Sequence, residues 1–153
     1  MAYRTVHLWG KPRRVEGLAS TGTIYPGHLV EMTSAALDTW KLRATAGGKN
    51  ENAVAIEDDL KGNPIATAYT ANNRIQVNIY GSGDECVVRV ANGEAIAKGD
   101  KLIANSDGTV KEATPDSSGV VIEQHVIGIA LEACDMSGSS AVDPSPLCAM
   151  RWI

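Results

Sequence analysis

Phenylalanine is absent from this chain, and three Trp and four Tyr are its only aromatic residues among 153. An apolar interior must therefore be built from Val, Ile, Leu and Ala. Helical periodicity is also missing, since only residues 33–37 and 57–61 could form a turn or two of helix. Short apolar stretches divided by Gly, Asn, Asp and Pro predict a mainly β protein, a compact barrel or sandwich with few or no long helices.

Long apolar runs are absent as well. The first fourteen residues lack the continuous apolar segment of a secretory signal. No other stretch approaches the roughly 20 apolar residues of a membrane-spanning helix. We therefore expect a soluble protein that folds in the cytoplasm and has no membrane partner.

Positive charge is sparse. The chain has fourteen Lys and Arg residues and eighteen Asp and Glu residues, which gives a formal net charge of −4. The basic residues are scattered except near the N-terminus, whereas phosphate binding requires a concentrated basic face. We expect no nucleic-acid partner.

Metal-ligand and redox patterns are missing too. Cys86, Cys134 and Cys148 are far apart and form no C-x-x-C motif, so they are expected to be buried free thiols in a reducing compartment rather than a metal or redox site. The histidines lack the spacing that would place several of them around one ion. The sequence predicts neither a metal nor a cofactor.

Two short patterns superficially resemble catalytic groups. The acidic run of residues 57–59 follows an apolar stretch, but nothing around it would raise a carboxylate pKa, so a solvated turn is the favoured interpretation. Ser82 lies between two glycines without the G-x-S-x-G frame of a nucleophile or the Lys of a phosphate loop, which favours a hairpin tip. We predict no catalytic residue and no enzyme activity.

What the chain does contain is a repeated pattern. Residues 24–30, 39–42 and 53–57 have counterparts at 97–103, 109–112 and 128–132. In each copy a glycine turn leads into an apolar pair, a strand with Thr-x-Lys follows, and an apolar strand ends on Glu. The separations are 72 positions for Gly27 and Gly99, 70 for Thr39 and Thr109, and 75 for Val54 and Ile129. This predicts a fold of two related β units, with a pseudo-repeat of about 24–60 and 97–133.

Two β-hairpins are predicted. Residues 74–80 alternate with Ile75, Val77 and Ile79 on one face, and the turn at 81–84 is expected to pair them with residues 86–90. Residues 101–105 and 109–113 should form the second hairpin, because Asp-Gly between them supplies a positive φ angle for a tight turn.

The two ends of the chain differ from its centre. Residues 1–22 carry basic residues, Pro12 and several glycines, and are predicted to be an extended arm before a single β domain of residues 23–153. The alternative is that residues 3–9 form the first strand of the domain's own sheet. The apolar C-terminus predicts a self-association patch that includes Met150, Trp152 and Ile153.

The second copy of the repeat resembles a known family. The residues concerned are 98–102, 107–113 and 126–133, and the sequence from about 23 to 153 is similar to the capsid decoration, or head cement, proteins of tailed bacteriophages. That resemblance implies a structural protein on the outer surface of the virion capsid. It implies a major capsid protein as partner, stabilisation of contacts between capsid subunits, and a homo-oligomer, with a trimer favoured.

Arms that become ordered on the shell are common in such proteins. The resemblance therefore assigns capsid binding to the N-terminal arm, where an exposed strand and apolar anchors could bind a capsid sheet. The residues expected to take part are Tyr3, Arg4, Leu8, Trp9, Lys11, Arg13 and Arg14.

Two other functions stay open from the sequence. Residues 93–102 and 105–110 are similar in rhythm to biotinyl and lipoyl carrier domains, in which a modified lysine lies at an exposed hairpin tip. Here the nearest lysine, Lys111, falls inside the strand after the turn, so turn chemistry shared by β-sandwiches is the favoured interpretation. The other possibility is an enzyme subunit whose active site lies between chains.

Overall fold

The computed structural model describes residues 3–33, 38–44, 52–115, 119, 125–138 and 146–153. The elements are short strands and a single-turn 3₁₀ helix (Asp59–Lys61). In chain order the strands are β1 (His7–Trp9), β2 (Arg13–Ala19), β3 (Leu29–Met32), β4 (Thr39–Leu42), β5 (Ala53–Ala55), β6 (Arg74–Ile79), β7 (Glu85–Arg89), β8 (Ala95–Ile96), β9 (Lys101–Ala104), β10 (Val110–Glu112), β11 (Val126–Ala130), β12 (Cys134–Asp135) and β13 (Leu147–Trp152). The predicted mainly β class is confirmed. No helix in these described ranges is long and apolar enough to cross a membrane.

The strands form two main sheets. Strands β2, β4, β3, β5 and β6 close a five-stranded barrel in that order, and a six-stranded sheet has the order β1, β7, β13, β11, β9, β10. An isolated parallel bridge joins Val90, at the end of β7, to Val110 in β10. Because of this bridge, the five strands of the second sheet other than β1 also curl toward closure.

The two sheets have the same topology. We call the barrel unit 1, and we call strands β7, β9, β10, β11 and β13 unit 2. In each unit the second strand lies between the third and the fourth, the fifth pairs with the fourth and the first, and the first meets the third in parallel. The structure thus contains the same five-stranded arrangement twice.

The register of the two units agrees strand by strand. Equivalent residues are 71 positions apart in the first strand, and then 72, 70, 75 and 73 apart in the second to the fifth. For example, the pair Val15 and Val77 corresponds to Cys86 and Met150. The interstrand pairs of unit 2 within these five strands obey these offsets, except Val126 with Ile103, where the register of β11 shifts. Three of them are the separations visible in the sequence, so the predicted repeat corresponds to the middle three strands of each unit.

The turn before the second strand is also the same in both units. The backbone N–H of Tyr25 donates to His28 Nδ1 at 3.2 Å, and the N–H of Ala97 donates to Asp100 Oδ2 at 2.7 Å. Gly27 and Gly99 follow with φ angles of 92° and 96°, which favour glycine. A His side chain and an Asp side chain therefore stabilise the same backbone turn.

The apolar residues form two clusters. The smaller lies inside unit 1 and includes Val30, Trp40 and Val77. The larger lies inside unit 2 but also contains Leu29, Val54 and Ile56 of unit 1. Since strand neighbours point to opposite faces, these three residues lie on the outside of the unit 1 barrel, where they make the larger cluster a core shared by both units.

One predicted hairpin is confirmed and the other is wrong. Strands β9 and β10 pair antiparallel around the Asp107–Gly108 turn. Strands β6 and β7 do form where predicted, but β6 pairs with β2 and β5, whereas β7 pairs with β1 and β13. The turn at 81–84 is the passage from one unit to the next, because both edges of β6 are already occupied within unit 1.

The N-terminal residues belong to the folded body. Strand β1 pairs antiparallel with β7, and β2 pairs along its length with β6. The alternative that residues 3–9 open the domain's own sheet describes this arrangement, and the boundary drawn at residue 22 falls within unit 1. The physical reason is that β6 and β7 each need a partner on a second edge, which β2 and β1 provide.

Candidate interaction surfaces

Two of the three acidic residues at 57–59 hydrogen-bond other residues of the chain. Glu57 accepts hydrogen bonds from the Thr5 hydroxyl and from the Val6 backbone N–H, the latter at 2.9 Å. Asp58 is buried, and Gln76 donates to its carboxylate at 3.5 Å. Ser82 lies exposed in the passage between the units.

The cysteines do not form a reactive group. Cys86 and Cys148 are buried free thiols, and Cys134 is half-buried. Burial raises the pKa of Cys86 and that of Cys148 to about 12, which keeps both thiols protonated at neutral pH. Within the described ranges, no three His, Cys, Asp or Glu side chains are arranged to hold a metal ion.

Two equivalent glutamates hold the N-terminal segment in place. Glu132, which is 75 positions after Glu57, accepts a hydrogen bond from the Tyr3 hydroxyl at 2.5 Å and one from the Ala149 N–H at 2.9 Å. Burial, followed by this contact with Glu132, raises the pKa of Tyr3. The predicted capsid anchor Tyr3 therefore also contacts unit 2 of its own chain.

Trp9 is the most exposed aromatic side chain of the described chain, at 70%. Trp9, Gly10, Lys11 and Asp84 line a surface concavity of about 470 Å³. The Asp84 carboxylate orients this segment by accepting from the Lys11 backbone N–H at 3.2 Å and from the Gly81 N–H at 2.8 Å. Trp9 also ends β1, an outer strand of the six-stranded sheet.

The remaining residues of the predicted arm are on the surface. Leu8 is 36% exposed, and Arg4, Lys11, Arg13 and Arg14 are exposed. Arg13 and Arg14 lie in β2 of unit 1, whereas Leu8 and Trp9 lie in β1 of the other sheet. Apart from the half-buried Tyr3, the predicted set is accessible, but it spans two sheets instead of one extended arm.

The predicted self-association patch requires a correction. Met150 and Trp152 are fully buried, and the Trp152 ring stacks on Tyr80 with ring centroids 5.9 Å apart. Alternation along β13 directs both side chains into the core of this chain. Of the three residues in the predicted patch, only Ile153 is exposed, at 46%.

Arg89 is a contact residue that the sequence analysis missed. It is buried in β7, and its guanidinium donates to Pro26 O at 2.8 Å and to Ile65 O at 2.7 Å. Its Cζ also lies 5.1 Å from the Tyr25 ring centroid, within the range of a cation–π contact. Arg89 therefore ties unit 2 to two loops of unit 1. The only signal in the sequence was a lone charge within an apolar strand.

A second concavity lies on unit 1. It has a volume of about 340 Å³ and is lined by Glu16, Gly17, Leu18, Asp38 and Arg74. Leu18 is 43% exposed. Arg74 pairs with the Glu16 carboxylate at 2.7 Å, so Asp38 gives the described lining residues a net negative charge.

Comparison with known proteins relates this architecture to a viral protein. No protein-family model matches the chain, and no curated protein matches its sequence. Its fold is similar to a bacteriophage head fibre base. The solved structure is the N base of the head fibre protein gp8.5 of bacteriophage phi29, with a TM-score of 0.54 and 19% sequence identity. The match covers 94% of this chain and 95% of that chain, so both units lie within it.

The structure does not favour the carrier alternative. A carrier domain presents its lysine at an exposed tip, but at the β9–β10 turn Gly108 is buried against unit 1. The N–H of Leu29 donates to Gly108 O at 2.7 Å, and the N–H of Gly108 donates to Arg43 O at 3.1 Å. Lys111 is half-buried in β10, three positions beyond Gly108.

Proposed function

We propose that this chain is a structural protein of a tailed-bacteriophage head, which decorates the outer capsid surface and stabilises contacts between major capsid subunits. The observation that carries the proposal is the similarity of fold to the gp8.5 head fibre base over nearly the whole of both chains. The charged side chains of Glu57, Glu132 and Arg89 each hydrogen-bond backbone groups of this chain, which agrees with a structural role for them.

The surface around Trp9 is the proposed capsid contact. An exposed aromatic side chain beside Lys11 and Asp84 combines an apolar anchor with polar groups, as binding hot spots do. The outer position of β1 adds a strand edge to which a capsid segment could pair. Arg4, Arg13 and Arg14 would assist by attracting acidic groups of the capsid.

The test is co-sedimentation with empty expanded capsids of the phage that encodes the chain. Deleting residues 2–14 would remove β1 and the start of β2, so substitutions are preferable. We expect Trp9→Ala with Lys11→Ala to weaken capsid binding at least tenfold without changing the thermal midpoint. Leu60→Ala with Lys61→Ala is the matched control, because Leu60 is fully exposed on the 3₁₀ helix.

Capsid calorimetry supplies the second measurement. Saturation with the wild-type protein should raise the melting temperature of the capsid, because a ligand that binds only the folded shell stabilises it. Absence of any binding by the wild-type protein would sink the proposed function. Binding that both double variants retain would sink only the role of Trp9 and Lys11.

A further inference from the structure

The contact between the two units has a defined geometry. The unit 1 turn, residues 25–29, lies over the ends of β7 and β13. Arg89 N–H donates to Gly27 O at 3.0 Å, and Leu29 N–H donates to Gly108 O at 2.7 Å. A Cβ atom on Gly27 would lie 2.8 Å from Leu147 Cδ2, so this turn approaches unit 2 closely.

The surface of unit 1 that is equivalent to this covered surface of unit 2 is the second concavity. The strand offsets of 71, 70 and 73 positions relate Arg89 to Leu18, Gly108 to Asp38 and Leu147 to Arg74. All three unit 1 residues line the 340 Å³ concavity, together with Glu16 and Gly17, the equivalents of Val87 and Val88. Unit 1 covers this surface on unit 2, whereas among the described residues the equivalent surface of unit 1 is open.

The equivalent turn of unit 2 is exposed. The unit 2 turn, residues 97–101, has the same side-chain cap and the same glycine geometry as the unit 1 turn. No described neighbour comes within 4 Å of a Cβ position on Gly99, and Lys98 beside it is exposed. Each chain thus displays an exposed turn on unit 2 and, among its described residues, an open receiving surface on unit 1.

We propose that the unit 2 turn of one copy docks into the unit 1 concavity of a second copy, in the way that the unit 1 turn docks onto unit 2 within the chain. This head-to-tail contact gives a geometry to the homo-oligomer expected from the sequence, and it does not depend on capsid binding. Contacts of this kind form rings when the rotation between copies closes. A trimer is one such ring.

Charge complementarity supports this occupant. Lys98 of the incoming turn would approach the negative lining that contains Glu16 and Asp38. In the contact within the chain the corresponding lining residue is apolar, because Val87 is the equivalent of Glu16. Polar residues suit an interface that is exposed to water before the copies assemble.

The backbone donors of the unit 1 concavity would also keep hydrogen-bond partners when the turn docks. In unit 1, Leu18 N–H donates to Asp38 O at 2.7 Å. In unit 2 the equivalent donor, Arg89 N–H, binds Gly27 O of the inserted turn instead. Insertion into unit 1 would therefore exchange the Leu18–Asp38 bond for one from Leu18 to Gly99 O, with no donor left unpaired.

The experiment is sedimentation velocity of the full chain without capsids. We expect Lys98→Glu and Glu16→Lys each to weaken self-association at least tenfold, because each brings like charges together at the contact. A mixture of the two variants should recover association, because opposite charges then meet again between copies. Lys61→Glu is the matched control, since it reverses the charge of an exposed lysine that belongs neither to the unit 2 turn nor to the lining residues of the concavity.

The outcomes separate this inference from the proposed function. A wild-type protein that is monomeric up to millimolar concentration overturns the inference, as do variants that associate like wild type or a mixture that does not recover. Thermal midpoints of each variant establish that it is folded. Capsid binding by the Trp9 and Lys11 variant is measured separately, so either proposal can fail alone.

Discussion

The two units show what one backbone does in two environments. The outer face of β2 and β6 in unit 1 is polar and exposed, with Glu16 paired to Arg74 and accepting from Gln76. The equivalent face of β7 and β13 in unit 2 carries Val87 and Ala149, which are buried in the shared core. In a stacked repeat, polar residues are expected on the outer face of a terminal unit. The face of unit 1 is thus polar where it meets solvent, and the equivalent face of unit 2 is apolar where it meets unit 1.

The seam between the first and third strands differs in the same way. In unit 1 it contains two pairs, Leu18 with Thr39 and Ala19 with Trp40. In unit 2 only the bridge between Val90 and Val110 remains, because the inserted unit 1 turn takes up the next backbone groups. The two seams differ because the unit 1 turn lies on the seam of unit 2, and the strand topology of the two units is the same.

The largest expected difference between equivalent positions is at Arg89 and Leu18. Arg89→Met should destabilise the fold by about 2–4 kcal/mol, because Pro26 O and Ile65 O lose their buried donors. Leu18→Ala should change the free energy of unfolding by less than about 1 kcal/mol, since Leu18 is partly exposed. Urea denaturation measures both. Equal losses would contradict the asymmetry of the two faces.

The glycines of the two turns give a smaller contrast. Both have positive φ angles, so Ala at either position carries a backbone penalty of about 1 kcal/mol. Gly27→Ala should cost about 1–2 kcal/mol more than Gly99→Ala, because its Cβ would crowd Leu147 and Arg89. Thermal unfolding of the two variants at low protein concentration makes the comparison. A larger loss for Gly99→Ala would contradict the assigned contact between units.

The smallest expected effect is on alkaline stability. The cysteines lie in or beside unit 2, and burial raises the pKa of Cys86 from 9.0 to about 12. The neutral thiol is thus favoured in the folded state, so its stabilising effect is present below pH 9 and is lost as the pH rises toward 12. Cys86→Val, which introduces the residue type of the equivalent position Val15, should reduce the loss of stability between pH 8 and 10 by about 1.4 kcal/mol. Urea titrations at the two pH values test this, and an unchanged loss would count against it.

The sequence predicted the parts of the fold that depend on local chemistry. The glycine turns at Gly27 and Gly99 and the Asp107–Gly108 turn require positive φ angles, which only certain residues adopt readily. Their separations predicted the repeat of the middle three strands. That the first and last strands of each unit also belong to the repeat was not predicted, because Val15 and Cys86, or Val77 and Met150, share only their apolar character.

Long-range pairing was beyond the reach of local patterns. The strands at 74–79 and 85–89 are adjacent in sequence and joined by turn residues, so a hairpin was the natural prediction. They do not pair, because β2 and β5 already bind both edges of β6. The burial of Met150 and Trp152 depends in the same way on strands far from them in sequence, as does the concavity on unit 1.

By itself, the sequence determined the strand class, the duplicated turns and the absence of a recognisable catalytic motif, since each depends on residue type and close spacing. Only the tertiary structure decided which face of each unit is covered and which turn remains exposed. Leu29 and Lys101 occupy equivalent positions, yet Leu29 lies in the shared core and Lys101 on the surface. The physical reason is that burial depends on which surfaces meet, and that is a property of the packed pair of units, not of either strand alone.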